Sequence, residues 1–238
     1  MGCSRCFRWR AGSNGGATLR SSLSVADQCI IIAIVGAEST GKTTLASGLT
    51  QALQVEGVNA LMVPEVLREF CDERGRTPYP HEQIGIAQAQ TLRVAQAAQV
   101  HDVVVADTTA LMTAVYSDHL FNDQSLYAQA LIDHAFADLT LLTALDLPWQ
   151  ADGLQRDGAH VREPVDSLIR QHLVSARLSF SVVAGQGAHR LGQALLAVRQ
   201  SLSAAQRAQD NAGRPRWRWV CEKCDDGDCE KQHWLPRA

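Results

Sequence analysis

From residue 29 onward, short apolar runs alternate with segments of helical periodicity. IIIAIV, Ile30–Val35, is apolar at every position, so both of its faces need cover, which is the pattern of an interior strand in a parallel sheet. Residues 42–56 place Leu45, Leu49 and Leu53 one turn apart and stop before Gly57, which predicts an amphipathic helix. ALMVPE, residues 60–65, predicts a second strand, followed by helical VLREFCDERG, the breaker TPYPH and an Ala/Gln-rich helix over residues 81–100. DVVVAD, residues 102–107, predicts the third strand, with helices over much of 108–136. DLTLLTALD, residues 138–146, predicts the fourth. Residues 147–164 are polar and carry arginines, and read as a mobile flap before a helix over 164–178. SFSVVAG, residues 179–185, predicts a fifth strand that turns at GQG into a last helix over 188–209. Strands alternating with helices imply a parallel sheet covered on both faces and joined by right-handed crossovers.

At 238 residues the chain can build one sizeable core. The expected organisation is a disordered leader over 1–28, a single α/β domain over 29–210 and a tail over 211–238. The net charge of -3 gives no global attraction for nucleic acid or an anionic membrane, so any anion binding must be local. No apolar run approaches the roughly 20 residues of a membrane helix, and the leader lacks the apolar stretch of a secretory signal. Cys6 stands where a myristoylation signal needs Ser or Thr. A cytoplasmic protein with reduced thiols is expected.

The strand at Ile30–Val35 runs into GAESTGKTT, which fits the phosphate-loop pattern GxxxxGK[ST]. The loop needs Gly36 and Gly41 because its backbone must approach phosphate closely enough for successive amides to donate. Lys42 is expected to reach the β and γ phosphates, and Thr43 to ligate Mg²⁺, with the following helix aiming its positive end at the charge. Glu38, Ser39, Thr40 and Thr44 complete the ATP-binding stretch. Glu38 is an unexpected carboxylate there, and its side chain is expected to point away from the triphosphate. Asp107, at the tip of the third strand, is the second candidate for the Mg²⁺ shell. Glu65, closing the second strand, is the candidate base for an acceptor hydroxyl. Arg156 and Arg162, in the polar segment, are candidates to neutralise a phosphoryl group in transfer. In the tail, Cys221, Cys224, Cys229 and His233 supply three thiolates and an imidazole, a possible Zn²⁺ set. RPRWRW before it suits either nucleic acid or packing on the domain.

With these residues in place the chain resembles the NadR-like P-loop ATPase and kinase family, an AAA-type ATP-binding domain. GAESTGKTTL is similar to that family's phosphate loop, PEVLREF to its segment after the second strand, ADTTALMTAVY to its Asp-Thr motif, and DLPWQADGLQRDG to its Trp-containing segment. Thr109 stands where the family carries a second aspartate. The resemblance implies a P-loop nucleoside-triphosphate hydrolase fold of nucleoside-kinase type, three layers α/β/α, with a five-stranded parallel sheet in the order 2-3-1-4-5. It also implies ATP and Mg²⁺ as cofactors, nicotinamide riboside or a related nucleoside as acceptor, and Trp149 as an aromatic wall for that acceptor. No His-x-Gly-His segment precedes the loop, so adenylyl transfer is not expected. A nucleotide-binding regulator of the same fold is the alternative. A GTPase is disfavoured because Thr143, Ala144, Leu145 and Asp146 do not form a guanine-reading motif.

Overall fold

A computed structural model of the chain describes residues 29–150 and 158–212. Five parallel strands form one sheet in the order β2-β3-β1-β4-β5: β1 Ile30–Val35, β2 Ala60–Val63, β3 Val103–Asp107, β4 Leu139–Thr143 and β5 Ser181–Val183. The helices are α1 Lys42–Val55, α2 Val66–Arg74, α3 Pro80–Ala97, α4 Ala110–Phe121, α5 Tyr127–His134, α6 Arg162–Ser175 and α7 Gly187–Ala212. The strand order, the parallel sense and the helical layers agree with the order implied by the resemblance. Alternation along β1 explains the two layers. Ile32 and Ile34 point to a core shared with Leu45, Leu49 and Leu53 of α1 and Ala194 and Val198 of α7. Val35 belongs to the opposite core, with Leu111, Met112 and Val115 of α4 and Val165, Ile169 and Leu173 of α6. Leu49 is fully buried, so truncating it to alanine should cost about 3 kcal/mol. Among the described residues, no helix is long and apolar enough to cross a membrane.

The departures from the sequence pattern have local causes. β2 ends at Val63, and Glu65 is the N-cap of α2 with φ -71° and ψ 113°, so this carboxylate sits at a helix start and does not close the strand. Pro64 cannot donate to a ladder, which helps stop the strand there. TPYPH is less a breaker than a helix start: Pro80 takes the first position of α3, and Glu82 accepts the Tyr79 N–H at 2.7 Å. Arg76 grips both oxygens of Glu82 at 2.7 and 2.8 Å and lies over the Tyr79 ring, which fixes the α2–α3 connection. That bond to Arg76, followed by the one from the Tyr79 amide, holds the Glu82 carboxyl down at about 2. α6 begins at Arg162, preceded by a 3-10 turn at Ala159–Val161, so Arg162 is a buried helical residue and not part of a polar flap.

Register aligns the functional strand tips. Ile34 of β1 pairs with Asp107 of β3, and the Thr108 N–H donates to the Ile34 carbonyl at 3.1 Å. The phosphate loop therefore leaves β1 beside Asp107. Because β1 has β3 on one side and β4 on the other, with chains leaving in opposite directions, a crevice opens at the carboxyl ends of the strands.

Candidate active site

The loop between β1 and α1 is closed by contacts that its sequence alone permits. Gly36 has φ +155°, and a Cβ there would lie 2.0 Å from the Thr143 hydroxyl oxygen, so only glycine lets the loop pass the tip of β4. Thr143 in turn donates to the Val35 carbonyl at 3.3 Å and shares a 2.7 Å hydrogen bond with Thr40. Thr40 also reaches the Ala37 carbonyl at 2.8 Å. Gly41 is the left-handed N-cap of α1, whose first turn holds no acidic side chain, leaving its amide end positive. Ser39, with φ 56°, is tied to Gln150: its hydroxyl oxygen lies 2.9 Å from the Gln150 amide and 2.9 Å from the Gln150 carbonyl. Lys42 is buried, and its ammonium donates to the Ala37 carbonyl at 2.8 Å. Thr43 and Thr44 are exposed at the helix start.

Asp107 is almost wholly buried at the end of β3. Burial raises its carboxyl above the ordinary aspartate value, opposed by a hydrogen bond from the Thr43 hydroxyl and by the charges of Lys42 and Arg68. One of its oxygens, Oδ1, has no hydrogen-bond partner among the described residues. A buried carboxylate oxygen without a partner is costly. Beside an exposed threonine hydroxyl it forms a hard-oxygen set that fits Mg²⁺, which takes only one or two protein oxygens when phosphates supply the rest. Thr108, the next residue, has φ 71° and is buried, so the chain turns sharply after Asp107.

A pocket opens between the loop and α2, α3 and α4. Its polar lining is Glu38, Lys42, Glu65, Arg68, Thr77 and Gln83. Leu67, Cys71, Pro78, Tyr116 and Leu120 form its apolar wall. Glu38 and Lys42 thus line a cavity that extends from the phosphate loop to the end of β2. Arg68 Nε lies 3.7 Å from Glu65 Oε2. The aromatic side chain lining the pocket is Tyr116. Trp149 is half-buried elsewhere in the 144–150 segment and is not among the lining residues, so its expected role as a wall is not what the geometry places there.

Of the other expected residues, Arg162 is buried at the start of α6, with Nε and Nη2 lacking partners among the described residues, and does not line this pocket. Arg156, the zinc set at Cys221, Cys224, Cys229 and His233, and the RPRWRW segment lie outside the described residues. Thr109 caps α4 and shares a 2.8 Å hydrogen bond with His134 Nδ1, whose Nε2 meets Thr140 at 2.9 Å. The hydroxyl at this position is therefore tied to the helical layer, and burial holds the His134 imidazole down at about 4.

Three residues that the motifs did not single out belong to the crevice, two of them joining its segments and the third lining its pocket. Arg190 of α7 donates from Nε to the Gly185 carbonyl at 2.8 Å and from Nη1 to the Thr40 carbonyl. Its Nη2 reaches the Ala144 carbonyl at 3.4 Å and the Asp146 carboxylate. One guanidinium thereby joins the phosphate loop to the ends of β4 and β5. Burial works to raise the Asp146 carboxyl, but the Gly185 amide and Arg190 outweigh it and hold it below its ordinary value. Gln90 of α3 accepts the Val66 N–H at 2.8 Å and donates to the Pro64 and Thr108 carbonyls at 3.3 Å each. It joins the residues flanking Glu65 to the residue after Asp107. Gln83, on the same helix, lines the pocket. Both glutamines sit in the buried stripe of α3 with Ile86, Ala87 and Ala97. A polar residue at a stripe position was the signal in the sequence.

Comparison with known proteins bears on the family and the fold. A family profile described as AAA domain matches residues 31–190. The trifunctional NAD biosynthesis/regulator protein NadR of Salmonella typhimurium is 28% identical over 156 residues, which cover 63% of this chain and 37% of that protein. Among solved structures, NadR protein in complex with NR superposes with a TM-score of 0.61 at 18% identity, covering 73% of this chain and 51% of that one. NadR protein in complex with NAD and AMP-PNP superposes with a TM-score of 0.57 at 19% identity, covering 74% and 50%. These likenesses show a shared fold. The chain spans little more than a third of the curated relative and about half of each solved NadR chain.

Proposed function

We propose that this chain, which belongs to the AAA domain family and is NadR-like, is an ATP-dependent kinase of a nucleoside-sized acceptor, nicotinamide riboside being the acceptor to test first. The observation that carries the proposal is the continuity of the site: Lys42 and Glu38 belong to the phosphate loop and also line the pocket that holds Glu65. A pocket separated from the loop would suit a regulator, whereas a shared wall suits transfer between two bound molecules. The NadR structures with NR and with AMP-PNP make the nucleoside and the ATP analogue reasonable choices for each half.

In this reading the amides of residues 36–43 and the ammonium of Lys42, released from the Ala37 carbonyl, hold the β and γ phosphates. Thr43 and Asp107 would hold Mg²⁺. That ion, when bound, neutralises charge on the bridging phosphate oxygens. Glu65 takes the proton of the acceptor hydroxyl as its oxygen bonds to the γ phosphorus and the bond from phosphorus to the β-phosphate oxygen breaks, leaving ADP. Gln90 keeps the Glu65 and Asp107 segments at fixed separation, so base and phosphate meet in one geometry. Arg156 and Arg162 remain candidates to screen the phosphoryl group. Glu38 lines the pocket assigned to the acceptor, which supports a side chain directed away from the triphosphate.

The test is direct. Purified protein with Mg²⁺, ATP and nicotinamide riboside should convert the riboside to its mononucleotide, read by mass. Phosphorylation of other nucleosides but not this one would overturn the acceptor and leave the class. ATP binding with no phosphorylation across a nucleoside panel would overturn the kinase reading.

A further inference from the structure

Two glutamines lie on one face of α3, seven residues apart, and their hydrogen bonding differs. Gln90 is 2% exposed, and its amide has three backbone partners. Gln83 is 1% exposed, yet its Oε1 is buried with no hydrogen-bond partner among the described residues. Gln90 explains itself as a fastening between β2, α2 and β3. Gln83 has no such explanation: among the described residues its side chain closes no turn and joins no segments, and it lines the same pocket as Thr77, Pro78 and Glu65. A buried amide oxygen without a donor is destabilising, and a leucine or methionine would fill the same stripe position without that cost. The residue makes chemical sense when a donor arrives from the pocket.

We infer that Gln83 is the residue that selects the acceptor, its Oε1 accepting a hydrogen bond from a neutral N–H or O–H of the bound molecule. The inference rests on the acceptor-pocket reading above. The class of ligand it names is a nucleoside-sized molecule bearing at least one donor besides the hydroxyl that receives phosphate. A carboxylate or a methylated group at that point would leave the oxygen unpaired, and sites built to hydrogen-bond a substrate group reject analogues that lack it far more sharply than apolar pockets do. The donor has two available sources, a ring amide and a sugar hydroxyl, which share this chemistry.

Calorimetric titration separates them. Nicotinamide riboside, its ring-carboxylate counterpart and its 2′,3′-dideoxy counterpart are each titrated into the wild-type chain and into Gln83→Leu. Wild type should bind the intact riboside, and Gln83→Leu should weaken that binding about tenfold or more. The counterpart that lacks the relevant donor should already bind weakly to wild type and lose nothing further in the variant. Melting of the ligand-free variant should be unchanged or raised, because an unpaired buried oxygen has been removed. If melting instead falls, Gln83→Met provides the same comparison in an unbranched side chain of similar length. The inference is overturned if the variant binds the intact riboside within about threefold of wild type. It is also overturned if both counterparts remain as sensitive as the riboside, or if wild type binds none of the three. Phosphate transfer is scored separately. Donor-dependent binding without transfer would sink the kinase reading and leave Gln83 its role, whereas transfer with unchanged affinity in the variant would do the reverse.

Discussion

Arg190 and Asp107 are both buried, charged and set beside the crevice, but they sit in regions that treat polar groups in opposite ways. On the β4–β5 side, the Arg190 guanidinium contacts Gly185, Thr40, Ala144 and Asp146. There Thr40 and Thr143 also bond to each other and to backbone carbonyls. On the β2–β3 side, Asp107 Oδ1 and Gln83 Oε1 are buried without partners among the described residues, and Gln83 lines the pocket. A satisfied polar network specifies a shape, since removing any member strands the others. An incomplete one is unfavourable in isolation and is completed only by something that enters. In the proposed reading, the difference separates the half of the site that positions the phosphate loop from the half that would take metal and acceptor.

The comparison can be broken most severely at Gly36. Gly36→Ala would place a methyl group 2.0 Å from the Thr143 hydroxyl oxygen at a backbone angle of +155°, so the loop must open. We expect loss of the ATP-induced rise in melting temperature. A retained rise would show that the Thr40–Thr143 arrangement does not support phosphate binding. Arg190→Leu comes next, at about 3–5 kcal/mol of stability, because several carbonyls and the Asp146 carboxylate lose their common donor. Denaturant titration measures it, and a loss under about 1 kcal/mol would mean that the network is not cooperative.

Acid should reveal the His134 chain. Its folded-state value of about 4 lies below the ordinary 6.5, so the unfolded chain binds the proton first. Stability from this group is complete above pH 6.5 and is lost as the pH falls toward 4. The loss amounts to about 3 kcal/mol. His134→Gln should flatten that part of the stability profile; a profile parallel to wild type would remove His134 from the account. Gln90→Leu, which strands one amide and two carbonyls, should cost about 2 kcal/mol, in contrast to no loss at Gln83. Equal losses at the two positions would erase the distinction between fastening and selecting residues. The smallest effect is expected at Glu38, where Glu38→Gln should raise the acceptor KM several-fold, by about 1 kcal/mol, with ATP affinity unchanged. An equal loss of ATP affinity would place its side chain toward the phosphates.

Much of this was legible in the chain. Fully apolar IIIAIV demanded an interior strand, GxxxxGK[ST] demanded a backbone cradle, and the alternation of strand and helix demanded parallel pairing. These are constraints between neighbouring residues, and local sequence carries them. Arg162 was misplaced as a flap residue because the polar composition of 147–164 hid the start of α6. Glu65 was read as a strand end because Pro64 separates two elements within a few residues.

What local sequence left open were the partners of buried polar groups. Arg190 and Thr40 are 150 positions apart, and Thr40 and Thr143 are 103 apart. Gln83 and Gln90 are the same residue on the same helical stripe, so no periodicity could assign them different tasks. The sequence determined the sheet, the phosphate cradle and the residue types available to the site. Only the tertiary structure decided which of those polar atoms were answered by the chain itself and which were not. Hydrogen bonding in a buried site depends on distance and angle between segments far apart in sequence, and those are set when the sheet closes.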